Sequence, residues 1–131
     1  MEKSNAQKRT FLNLYGMVMA DGICHPKEMA VLYKIGRECY HLTSEEISQE
    51  IREGGKTPLF PQSFEDRVRL LYQMAIIAWA DGNVDETERD LLKRYSSKYC
   101  VREEIVDSFV DFLLEKAKQN ISEANLINEL K

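Results

Sequence analysis

The chain reads as all-α, a bundle of about seven helices made of two pseudo-symmetric three-helix repeats and a short C-terminal helix. Three observations predict this. No segment alternates apolar and polar residues over strand length, whereas apolar residues recur at helical spacing in one stretch after another. Cap signals and glycine or proline breaks punctuate those stretches at helix-like intervals. The pattern also occurs twice: Ala20-Asp21-Gly22 with Glu28 returns sixty residues later as Ala80-Asp81-Gly82 with Glu88. The surroundings agree, Cys24 with Val84 and Val31-Leu32 with Leu91-Leu92. After a two-residue slip, Glu45-Glu46-Ile47 matches Glu103-Glu104-Ile105.

The elements follow in order. Ser4 and Gln7 form a candidate capping box, opening a helix that runs to about Ala20 with Phe11, Leu14, Tyr15, Val18 and Met19 on one face. Pro26 fits the first position of a second helix and Glu28 the third, and this helix runs to about Tyr40. Thr43 and Glu46 form another box, for a short helix that ends at Gly54-Gly55. Segment 54–62 holds two glycines and two prolines and joins the copies, with Leu59 and Phe60 expected to dock on the core.

Ser63 caps a fourth helix, whose 70–80 stretch is apolar except for Gln73 and is therefore expected to be the most buried. Asp85 and Glu88 box a fifth, ending near Tyr99. A sixth runs from about Arg102 to Lys116, with Ile105, Phe109, Phe112 and Leu113 facing in. Ser122 opens a short last helix with Leu126, Ile127 and Leu130. The whole is one domain, 1–131. The first repeat spans about 4–55, the second about 63–117, and the last helix about 122–130.

Composition narrows the function. The 18 basic and 22 acidic residues give a net charge of −4, and the basic ones are scattered apart from Lys3, Lys8 and Arg9, so nucleic acid is not an expected partner. The chain has no signal-peptide pattern, and its most apolar run is far shorter than the roughly 20 residues that cross a bilayer. A soluble cytoplasmic protein is expected. Three cysteines do not suggest a disulfide framework. Cys24 and Cys39 align with Val84 and Tyr99 and read as buried thiols, the alternative being a soft-metal site with His25 and His41. Gly54-Gly55-Lys56-Thr57 ends like a phosphate loop but lacks the earlier glycine and precedes Pro58 rather than a helix. No nucleophile–base pair stands out, and no enzyme is expected.

The acidic turns are the candidate site. Gly22 and Gly82 end helices cheaply through positive φ. Asp21 and Asp81 then sit at the wrong end of the helix dipole, a mismatch of about 0.3–1 kcal/mol when exposed. Two things could offset it: the N–H groups that open the next helix, or a bound cation. In the first reading, Glu28 and Glu88 are cap carboxylates. In the second, Asp21, Glu28, Asp81, Asn83, Asp85 and Glu88 offer hard oxygens to a divalent cation, calcium favoured. The second loop is the richer, because Ile23, Cys24 and His25 stand where the first would need oxygens. Neither loop has the glycine and glutamate spacing of an EF-hand.

This doubled motif, with Tyr40-His41-Leu42-Thr43-Ser44-Glu45-Glu46 leading into a third helix, resembles the TerB-like family over roughly 11–116. The resemblance implies a helical domain of about seven helices without catalytic activity, in stress response, tellurite-type oxyanion resistance or membrane-associated complexes. It implies a cation- or partner-binding patch at Asp21, Glu28, Asp81 and Glu88. His25-Pro26-Lys27 departs from it, since an acid would be expected there for a symmetric metal site. The leading expectation is a non-enzymatic module that binds a divalent cation, a protein partner or both. The alternative is a metal-free interaction scaffold using Tyr33, Leu59, Phe60 and Trp79, whose acids only cap helices.

Overall fold

Local capping chemistry sets most helix starts. In the computed structural model, residues 2–19, 22, 25–53, 59–80 and 82–130 are described, with side chains from residue 7 onward. The order is α1 (Glu2–Val18), α2 (Pro26–Cys39), α3 (Ser44–Glu53), α4 (Phe64–Ala78), α5 (Glu86–Tyr99), α6 (Val106–Lys118) and α7 (Glu123–Leu130), with a 3₁₀ turn at Glu103–Ile105 before α6. No strand occurs among the described residues.

The boxes at α3 and α5 form in full. Thr43 N–H donates to Glu46 Oε1 (2.9 Å) and Glu46 N–H to Thr43 Oγ1 (3.1 Å). Asp85 and Glu88 repeat the exchange at α5. Ser63 Oγ accepts from Asp66 N–H at 3.1 Å, and Ser122 Oγ from Asn125 N–H at 3.2 Å. Each such cap is worth about 1 kcal/mol.

α4 is the hub, packing on α1, α2, α5, α6 and α7. Its Leu70, Leu71, Tyr72, Met74, Ala75 and Ile77 are buried, as expected of the apolar run. Within each half the three helices touch pairwise: α1, α2 and α3 in the first, α4, α5 and α6 in the second. The halves correspond closely. α2 and α5 are offset by sixty residues at both ends, and Leu32 and Leu92 are both fully buried.

Several local expectations fail. The first helix already runs from Glu2, so Ser4 and Gln7 lie inside it rather than at its start. Ile105 is 49% exposed because it belongs to the 3₁₀ turn, whose three-residue period takes it off the α6 stripe. Leu130 is exposed at the end of α7. Cys39 is exposed, because Tyr40 takes the inward place at the end of α2. Cys24 lies outside the described residues.

The connection docks partly as expected. Leu59 N–H donates to Arg9 O, and Asn13 Nδ2 donates to Leu59 O, both at 3.1 Å, yet the Leu59 side chain is exposed. Phe60 stacks on Tyr99 with ring centroids 3.9 Å apart and meets Tyr95 edge-on. The glycines of this segment, 54 and 55, lie outside the described residues.

Candidate functional site

The two corners are built alike. Gly22 and Gly82 have φ of 79° and 84°, and their N–H groups donate to Met19 O and Trp79 O at 2.9 and 2.8 Å. This left-handed turn suits glycine, because a Cβ there would be strained. His25 and Asp85 then enter α2 and α5 with extended backbone. Three residues on, Glu28 and Glu88 are 1% and 3% exposed. Burying a carboxyl so far inside is costly unless it is hydrogen-bonded or neutralised.

They meet each other. The Glu28 carboxyl, from the first repeat, lies close enough to the Glu88 carboxyl, from the second, to act on its proton. A carboxylate only accepts, so a bond between two carboxyls requires a proton on one of them. Burial, then the bond to Glu28, pushes the Glu88 carboxyl up to about 9, against the Asp85 N–H that favours its charged form. Both influences favour a proton on Glu88, which lowers the negative charge the pair must bury.

Asp85 stands beside this pair. Its Oδ1 accepts from Glu88 N–H at 2.8 Å, and its own N–H donates to Glu88 Oε1 at 3.2 Å. His25, its counterpart, makes no side-chain cap. Asn83 is exposed in the second loop. Asp21 and Asp81 lie outside the described residues. The structure thus sets Glu88 between Glu28, across the repeats, and Asp85, its own cap partner. Their hard oxygens suit a divalent cation of the calcium kind, and a soft metal has no thiol or imidazole in that set. Among the described residues no group of three His, Cys, Asp or Glu is arranged to hold an ion. Cys39 and His41 do not form one: the Cys39 thiol donates to Glu123 Oε2 at 3.7 Å, and His41 has turned to a φ of 57°.

Of the residues named for a scaffold surface, Tyr33 and Trp79 pack partly buried against the core. Tyr33 bonds Ser48 at 2.6 Å, and Trp79 Nε1 donates to Leu114 O at 2.8 Å. Neither presents an open apolar face.

A second polar feature was missed. Tyr40, Gln73, Glu123 and Cys39 form a hydrogen-bonded set beside a cleft of about 590 Å³. The signal was present in Gln73, the one polar break in the 70–80 run, which is 4% exposed. Its partners come from α2 and α7, which periodicity along α4 cannot identify.

Comparisons with protein-family models, with curated proteins and with solved structures gave no match to this chain. No described helix is long and apolar enough to cross a membrane.

Proposed function

We propose that the protein is a non-enzymatic helical module that binds a divalent cation, calcium first among candidates, through its paired acidic corners. In this reading the ion displaces the proton shared by Glu28 and Glu88, Asp85 adds a third carboxylate, and Asp21, Asp81 and Asn83 complete the set. The reading rests on one observation, the burial of Glu28 against Glu88 across the two repeats. Two carboxyls held together away from water need a positive charge between them, and a proton or a metal ion meets that need equally well. Ion binding would pin the two corners together and present them to a protein partner. A cytoplasmic role in stress or tellurite-type resistance follows only from the resemblance to TerB-like proteins.

Calcium titration by calorimetry and amide NMR tests the reading. Saturable binding is expected, with shifts over 82–88 and 25–28, a proton released per ion, and weaker binding at mildly acidic pH. Glu28→Gln and Glu88→Gln should each abolish it. No saturable signal up to millimolar calcium would overturn the proposal.

The metal-free scaffold keeps one observation in its favour: the Asp85–Glu88 box is complete, so both residues already have a structural task. Partner capture that is unchanged in EDTA would favour it.

A further inference from the structure

The cleft lies between α1, the end of α2, the start of α4 and the start of α7, remote in sequence from the acidic corners. Its volume, about 590 Å³, is within the range of small-molecule sites. Tyr40 and Leu70 supply apolar wall, and Asp66, Arg69 and Glu123 supply charge.

The direction of its hydrogen bonds is fixed by chemistry. Glu123 Oε2 accepts, so the Gln73 group facing it at 3.2 Å is the Nε2 amide donor. The Gln73 Oε1 then faces Tyr40, whose hydroxyl must donate to it, at 2.6 Å. Tyr40 and Gln73 are both more than nine-tenths buried, which locks this orientation. The Cys39 thiol also donates to Glu123 Oε2. Burial pushes that thiol up to about 11 and the Tyr40 hydroxyl above its ordinary range, so both keep their protons.

The Gln73 amide and the Cys39 thiol therefore both donate to Glu123, and Tyr40 is linked to it through Gln73. Arg69, the one cation among the described lining residues, is tied to Glu65 at 3.1 Å and Asp66 at 3.5 Å. Among those residues Asp66 and Glu123 against Arg69 leave one net negative charge. At its Glu123 end the cleft offers a ligand acceptor oxygen and negative charge beside apolar wall. An anion would meet repulsion there, whereas a cation would gain a charge-assisted bond.

We propose that this cleft binds a small organic monocation, a primary ammonium or amidinium on a compact apolar body, with its charged head on Glu123. The thiol of Cys39 takes part as a donor, with no covalent step.

The full chain can be titrated with phenethylamine, its neutral analogue 2-phenylethanol and the anion phenylacetate, followed by amide and Gln side-chain NMR. Phenethylammonium should give saturable shifts at Cys39, Gln73 and Glu123, binding about tenfold tighter than the alcohol, as a charge-assisted hydrogen bond requires. Phenylacetate should give none. Glu123→Gln should bring the amine down to the alcohol's affinity and leave the alcohol unchanged. Asp66→Asn should weaken the amine less. Equal binding of amine and alcohol by the unmodified chain would overturn the proposal without recourse to any variant. So would an amine affinity that Glu123→Gln does not alter, or no saturable shift at tens of millimolar amine.

Discussion

At the first corner the chain enters α2 through His25, and at the second it enters α5 through Asp85, sixty positions on. The preceding glycines differ by only five degrees in φ, 79° against 84°. The first turns close alike, Met29 N–H to His25 O at 3.0 Å and Arg89 N–H to Asp85 O at 3.1 Å. Yet only Asp85 caps with its side chain. Backbone geometry thus survives the exchange of an acid for an imidazole, while the glycine and the buried glutamate recur. The constant parts of the corner are those that end one helix and place a carboxyl in the interior. The side-chain cap is added at one corner alone.

A similar contrast runs along α2 and α5. Gly36 lets the helix approach so closely that an added Cβ would stand 2.6 Å from Ile47 Cδ1 and 2.9 Å from Phe11 Cε1. Its counterpart Ser96 has room for a side chain, but its buried Oγ finds no hydrogen-bond partner among the described residues. Matching positions have reached opposite packing solutions, so the repeats share a plan without repeating its packing in detail.

The largest expected effect tests whether the corners act as one unit. Folded Glu88 keeps its proton up to about 9, whereas the unfolded chain loses it near the ordinary value of 4.5. Between those values the folded state binds the extra proton, so in EDTA stability should fall as pH rises, by at most about 1.4 kcal/mol per pH unit. Denaturant titrations across that window should show the decline. Glu88→Gln should abolish it, and Glu28→Gln should shrink it, because burial, the larger cause, remains when the neighbouring carboxyl is gone. A decline unchanged in Glu28→Gln would separate the corners.

Next in size, Leu32→Ala and Leu92→Ala should each cost about 2–5 kcal/mol, both side chains being fully buried. A large difference between the two midpoints would break the equivalence of the halves. Gly36→Ala and Ser96→Ala should then diverge in sign. The new methyl at 36 overpacks by about 1–3 kcal/mol, only partly offset by the roughly 1 kcal/mol gain in helix propensity. Ser96→Ala removes an unsatisfied hydroxyl and improves propensity, so it should be neutral or stabilising.

These contrasts also mark what a sequence reader could see. The boxes at Thr43–Glu46 and Asp85–Glu88, and the caps at Ser63 and Ser122, were legible because each is closed within four residues. The burial of α4 was legible because its apolar run is long. Ile105 was misplaced because a 3₁₀ turn changes the period in mid-stripe, and Ser4 because helix formers continue upstream of it. Cys39 was misjudged by analogy with Tyr99, when its neighbour Tyr40 had the larger apolar group to bury. Duplication pointed to Glu28 and Glu88 as a matched pair. That they touch is a property of how the two repeats pack, and no local pattern encodes it. The same holds for the donors gathered on Glu123, whose partners Cys39 and Gln73 stand 84 and 50 residues away.

The smallest effect sharpens the opening contrast most directly. Asp85→Ala removes an acceptor that holds Glu88 N–H at 2.8 Å and should cost about 1 kcal/mol. His25→Ala removes no side-chain cap and should cost less than Asp85→Ala does. The informative variant is His25→Asp, which installs the second corner's cap in the first. The N-cap backbone is already extended, φ −87° and ψ 127° against −85° and 168° at Asp85, so the new carboxylate should reach Glu28 N–H with little rearrangement. A gain of about 0.5–1 kcal/mol in a thermal or denaturant midpoint is expected. If His25→Asp destabilises instead, then a further negative charge beside the shared proton of Glu28 and Glu88 outweighs the cap. The imidazole would then be the first corner's means of limiting acid density around a buried pair of carboxyls.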